Sequence, residues 1–161
     1  MKVKNILIAW DIWAALIITV VLRLLSPCYL PLGIVKVLSA VATSILSIIF
    51  SVYFAALAII ITSGDNKFVL FLEEEGHYTA IVGTYKFTLI LLFVSLVTAI
   101  FMFGLATIAI DRHYVLINAW PVLLSALLFL YSIFAVGNSA IEAITYSKFR
   151  VDFLNITRER N

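Results

Sequence analysis

The chain has 161 residues, of which 64% are hydrophobic and 12% charged, and its formal net charge is +2. An average soluble domain is nearer half apolar and a quarter charged, and many residues of any globule must face water, so this composition excludes a water-soluble fold and points to lipid. The small, dispersed charge argues against direct nucleic-acid binding, and the single cysteine, Cys28, rules out an internal disulfide or a multi-thiolate metal site.

A transmembrane helix needs about 20 mostly apolar residues to cross roughly 30 Å of hydrocarbon. Four stretches meet that length and predict an all-α integral membrane protein, a single transmembrane domain over 1–161 with helices at 6–25, 33–62, 87–110 and 116–145. The first carries Asp11 and Arg23 and stops at Ser26-Pro27; with no small-residue cleavage site it reads as a retained helix. The second runs to Ser63-Gly64-Asp65 and, at about 1.5 Å per residue, must tilt or project beyond the bilayer. The third is entered through Lys86 and closed by Asp111-Arg112-His113, and the fourth has Pro121 near its start, where a missing donor costs least.

Lysine and arginine placement gives these spans a direction. With four spans, the two termini and the 63–85 loop share a side that carries Lys2, Lys4, Lys67, Lys86, Lys148, Arg150, Arg158 and Arg160, against Arg23, Lys36 and Arg112 opposite. Both termini are therefore expected in the cytoplasm, in a multi-pass protein of the cell inner membrane. Within the loop, Asp65-Asn66 can cap a short interfacial helix that carries Phe68 and Phe71 and ends in Glu73-Glu74-Glu75-Gly76. That segment can be an elbow between spans or a docking site, and its acidity suits a basic patch on a cytosolic protein partner.

Ionisable groups inside hydrocarbon are costly, so each is a functional candidate. Asp11 and Glu142 lie at a similar expected depth from the cytoplasmic side, where Lys86 can pair with either; Arg23, Lys36, Asp111 and Arg112 make a second layer opposite. Such charges can fix register between helices, or they can ring a conduction path. Hydroxyls form stripes. Ser39, Thr43, Ser47 and Ser51 recur every four residues in the second helix. Asn118, Ser125, Ser132 and Ser139 recur every seven in the fourth, widened by Gly137 and Asn138 near Glu142, while Thr88 and Ser95 lead to Met102 in the third. A stripe of this kind is either a close-packing seam or the lining of a wet path.

Catalysis finds little to work with. His77 and His113 fall on opposite sides of the membrane, and no phosphate loop, nucleophile elbow or clustered metal ligands are present in the sequence, so no enzyme activity, cofactor or metal is expected.

In its short termini, four spans and cytoplasmic segment from Asp65-Asn66-Lys67-Phe68 to Glu73-Glu74-Glu75, the chain resembles the small four-span membrane subunits of bacterial antiphage defence systems of the Hailong and Kiwa types. The resemblance covers the whole chain in outline and transfers no individual site residue. It implies a homo-oligomer, with a tetramer favoured, in the inner membrane and controlled by a cytosolic partner or nucleotide signal. In some of those families the membrane subunit is an ion channel whose opening stops the infected cell; in others it is a sensor that anchors a cytosolic effector. The expected function is accordingly a homo-oligomeric channel or pore effector, with a non-conducting sensor or anchor as the alternative.

Overall fold

The computed structural model describes residues 10–62, 69–70, 73 and 77–159. Four helices dominate: α1 (Trp10–Leu25), α2 (Leu32–Thr62), α3 (His77–Asp111) and α4 (Ala119–Glu159). Three of them contain stretches long and apolar enough to cross a membrane, Leu32–Ile59, Tyr78–Asp111 and Ala119–Ile144. These are the spans of a multi-pass membrane protein. The 16 residues of α1 are shorter than a span by themselves.

The packing order departs from the chain order. α2 packs along α3, α3 along α4, and α1 chiefly against α4. The contact between α2 and α4 is slight. In lipid there is no hydrophobic force between helices, so small residues and hydroxyls that permit close approach hold them together. Ala15 of α1 and Ala119 and Ala135 of α4 are buried, as are Ala99 and Ala106 of α3. The outward faces are apolar, with Ile48, Val52, Phe93, Phe101 and Leu124 all exposed as lipid-facing side chains should be.

The buried positions of α3 explain why it is so long. Ile81, Tyr85, Thr88, Leu92, Ser95, Ala99, Met102 and Ala106 alternate in steps of four and three, the spacing of one helix face laid against its neighbours. That seam begins at Ile81, so 77–85 is helix where the sequence reading has loop. The polar run Thr79, Gly83, Thr84 and Lys86 hides the pattern there. α4 differs in the same way, continuing to Glu159 well past the expected end at 145.

One element was not expected. β1 (Tyr29–Pro31) pairs antiparallel with β2 (Leu116–Asn118), Leu30 facing Ile117. The Leu32 amide donates to the Val115 carbonyl at 2.9 Å and the Ala119 amide to the Cys28 carbonyl at 3.1 Å, so the ladder runs straight into the first turns of α2 and α4. Residues 116–118 are therefore strand, not the start of the fourth helix. Asn118, read as a member of the seven-residue stripe, instead caps α4 by accepting the Trp120 amide on Oδ1 at 3.1 Å. Beneath the ladder, Leu32, Val35, Met102 and Ala106 form an apolar plug with Leu30, Ile110, Ile117 and Val122 around it. The second core, nearer the other end, gathers Leu46, Tyr53, Ile81, Tyr85, Leu92 and Ala99. The two ends are called here the ladder end and the open end.

Candidate functional site

The hydroxyl stripes separate according to their period. At about 100° per residue, a four-residue step advances roughly 40° around a helix, whereas a seven-residue step falls back by only about 20°. The α2 stripe therefore winds off the packed face: Ser39 is buried, Thr43 and Ser47 are half-buried, and Ser51 is exposed. Each hydroxyl donates to the carbonyl one turn back, Thr43 to Ser39 at 2.8 Å, Ser47 to Thr43 at 2.7 Å and Ser51 to Ser47 at 2.9 Å. Their donors are thus satisfied within the helix, and the row can face lipid at little cost.

The seven-residue stripes stay inside. Thr88, Ser95, Ser132 and Ser139 are all at most 2% exposed, and Ser125 is half-buried. Thr88 and Ser139 share a hydrogen bond of 3.0 Å between α3 and α4, while Ser139 also donates to Ala135 and Ser132 to Leu128. Within one protomer this is a helix seam. The buried Ser95 hydroxyl on the same line has no hydrogen-bond partner.

Toward the open end the seam meets Glu142. The Thr84 hydroxyl donates to its Oε1 at 3.5 Å, and its buried Oε2 has no hydrogen-bond partner among the described residues. Two residues that the sequence reading missed close the site. Tyr53 of α2 and Tyr85 of α3 stack at 4.8 Å between ring centroids, nearly parallel. The Tyr53 hydroxyl is buried beside Ser139, Thr88 and Glu142. The signal for Tyr85 is its place in the four-three pattern of α3; for Tyr53 it is the seven-residue step from Leu46.

Asp11 occupies the neighbouring strip of α4. It is only 6% exposed, and its Oδ1 is buried with no hydrogen-bond partner among the described residues. It faces Tyr131, while the Trp10 indole donates to Asn138 Oδ1 at 3.0 Å and its ring meets Phe134. Tyr131, Asn138 and Glu142 fall within about 40° of one another around α4. The two carboxylates thus flank Asn138 along one face. They are not at matched depth: Asp11 lies at the level of Tyr131 to Asn138, and Glu142 is a turn nearer the open end. Among the described residues Lys86 makes no ion pair with either carboxylate, and its side chain is exposed.

The opposite charges are also differently used. Arg23 sits over the Trp120 ring at 5.6 Å and donates to the Ser26 carbonyl at 3.4 Å, and Lys36 sits over Phe103 at 5.7 Å. Asp111 and Arg112 are exposed. In place of a charged layer there are two cations on aromatic faces.

Of the loop candidates, Phe68, Phe71, Glu74 and Glu75 lie outside the described residues. Glu73 is engaged at home. Its carboxylate accepts the Thr79 amide at 3.1 Å and the Thr79 hydroxyl at 2.6 Å, which caps the first turn of α3. Among the described residues no three His, Cys, Asp or Glu side chains come together as a metal site. No protein-family model, curated protein or solved structure matches the chain.

Proposed function

We propose that this chain is an ion-conducting subunit of the inner membrane that works as a homo-oligomer, with α1 completing a fourth span and both termini in the cytoplasm. The observation that carries the reading is the pair of buried carboxylate oxygens, Asp11 Oδ1 and Glu142 Oε2, that find no hydrogen-bond partner among the described residues of a helix bundle made for lipid. A structural carboxylate gains nothing from that position, because an unmade bond to a buried acceptor costs about 1–3 kcal/mol. A group that must meet a passing ion has to be left in that state. The hydroxyl row of α2, which winds outward through Ser47 and Ser51, offers a polar line to neighbouring copies of the chain.

Purified protein in liposomes should release trapped ions, and Asp11→Asn should lower the rate at least tenfold. Replacing Ser47 and Ser51 with Leu should reduce it as well if α2 lines the shared path. Liposomes that stay tight with the wild-type protein would remove the channel reading. Antiviral defence is the biological setting we propose for it, tested by whether a strain that carries the Asp11→Asn chain loses protection against phage.

A second reading rests on α4, which runs about 15 residues beyond Ile144. At about 1.5 Å per residue that is more than 20 Å of helix past the apolar stretch, enough to hold a cytosolic protein. Co-purification of a partner should then be lost when the extension is removed or when Phe68, Phe71, Glu74 and Glu75 are changed together. A partner retained by both variants would count against an anchor.

A further inference from the structure

We infer that Asp11, Asn138 and Tyr131 form a site between α1 and α4 for one monovalent metal cation, of the sodium or potassium class. The inference rests on the channel reading for its setting and deepens it by naming the ion and the oxygens that hold it.

Three observations converge on this seam. Asp11 is only 6% exposed, yet its buried Oδ1 has no hydrogen-bond partner among the described residues. A buried carboxylate that serves only to fix helix register spends its oxygens on donors. Beside it, the Trp10 indole donates to Asn138 Oδ1 at 3.0 Å. An indole can only donate, so the amide turns its oxygen and not its nitrogen toward α1, and that oxygen keeps a second lone pair. In the other direction along α4, Asp11 faces Tyr131, whose hydroxyl oxygen can accept as well as donate. Tyr131, Phe134 and Asn138 share one face of α4, and the Trp10 ring against Phe134 holds that face to α1. Ala15, with no exposed surface, and Ala135, at 4%, let the two helices approach closely around these groups.

Charge decides the class of ion. Carboxylate, amide and phenol oxygens are hard ligands, suited to hard cations. One carboxylate neutralises one positive charge, and a neutral complex is the least costly to hold in hydrocarbon. A divalent ion would leave a net charge there and calls for several carboxylates, whereas no three His, Cys, Asp or Glu side chains come together among the described residues. Glu142, a turn beyond Asn138 with the Thr84 hydroxyl on its Oε1, makes a separate position nearer the open end. Water from that end completes the coordination of the ion at Asp11.

Trp10 lets the site report on itself. Thallium(I), a potassium surrogate that quenches indole fluorescence, would be titrated into the purified protein in detergent, with choline holding the ionic strength constant. Quenching should saturate, and sodium or potassium should reverse it where choline does not. Asp11→Asn should weaken the binding about tenfold or more, as loss of a charged ligand does, and Tyr131→Phe about threefold. Tyr131→Phe keeps the ring, so it remains informative if Asp11→Asn fails to purify as a single species. Quenching that never saturates, or that is equally strong in both variants, overturns the site. Displacement by calcium at lower concentration than by potassium overturns the monovalent assignment. Saturable binding by a protein that leaves liposomes tight removes the channel and keeps the site, and ion release without saturable binding does the reverse.

Discussion

The ladder end and the open end satisfy their polar groups in opposite ways. At the ladder end the interhelical strands pair, Asn118 caps α4, and the last carbonyls of α3 are closed by its own chain. The cations Arg23 and Lys36 rest on aromatic rings. At the open end, Asp11 and Glu142 each have a buried carboxylate oxygen with no hydrogen-bond partner among the described residues. A protein that can satisfy one end so fully has no physical need to leave the other unsatisfied. On the proposed reading, the difference puts the working site toward the open end and the rigid, paired backbone at the ladder end.

The sharpest way to break this comparison is to remove a polar group from one end and overpack the other. Asp11→Leu replaces a buried, unpartnered acceptor with apolar volume, so it should stabilise the folded chain by about 1–3 kcal/mol while abolishing ion flux. Ala106→Leu inserts bulk into the plug beneath the ladder, where Ala106 is fully buried, and should destabilise by a similar amount, about 1–3 kcal/mol. Thermal unfolding in detergent reads both. If Asp11→Leu lowered the melting temperature, its carboxylate would be structural after all and the contrast between the ends would dissolve.

A smaller effect is expected at the α4 cap. Asn118→Ala removes the acceptor for the Trp120 amide and should cost about 1 kcal/mol, with flux unaffected. Amide exchange should then quicken at Trp120 and in the ladder, which enters the helix directly at Ala119, while residues around Asn138 stay as protected as before. Faster exchange at both ends would mean that the ends are mechanically coupled and cannot be assigned separate tasks.

Much of this plan was open to reading from the residues. The spans of α2, α3 and α4 follow from unbroken apolar length, and the bounds expected for α2, 33–62, lie within a residue of Leu32–Thr62. Asp11 and Glu142 stand out as carboxylates in apolar sequence. What stayed hidden was hidden for physical reasons. The strand pairing joins Tyr29–Pro31 to Leu116–Asn118 across most of the chain, and three-residue strands carry no alternation long enough to register. The α2 and α4 stripes look alike as lists of serines. Only their angular drift separates a row that turns out from the packed face from a seam that stays packed. Tyr53 and Tyr85 are invisible as a pair, because nothing in either neighbourhood says that the two rings stack.

The smallest effect tests whether the ladder end has any strain left in it. His113 has φ at 64°, in the left-handed region, and closes α3 in the manner usually given to glycine. Its amide donates to the Ile110 carbonyl at 2.9 Å and that of Tyr114 to Ala109 at 3.0 Å, the two bonds of a helix-terminating motif. A non-glycine residue in that conformation costs about 1–2 kcal/mol, while glycine costs more backbone entropy on folding, so the terms partly cancel. His113→Gly should therefore stabilise the chain by less than about 1 kcal/mol, seen as a small rise in melting temperature. Flux should not change, since the residue lies outside the membrane-crossing core at the end assigned no chemistry. A fall in flux from this one exposed, distant substitution would show that the ladder end takes part in gating, and that its hydrogen bonds hold a movable element and not a fixed cap.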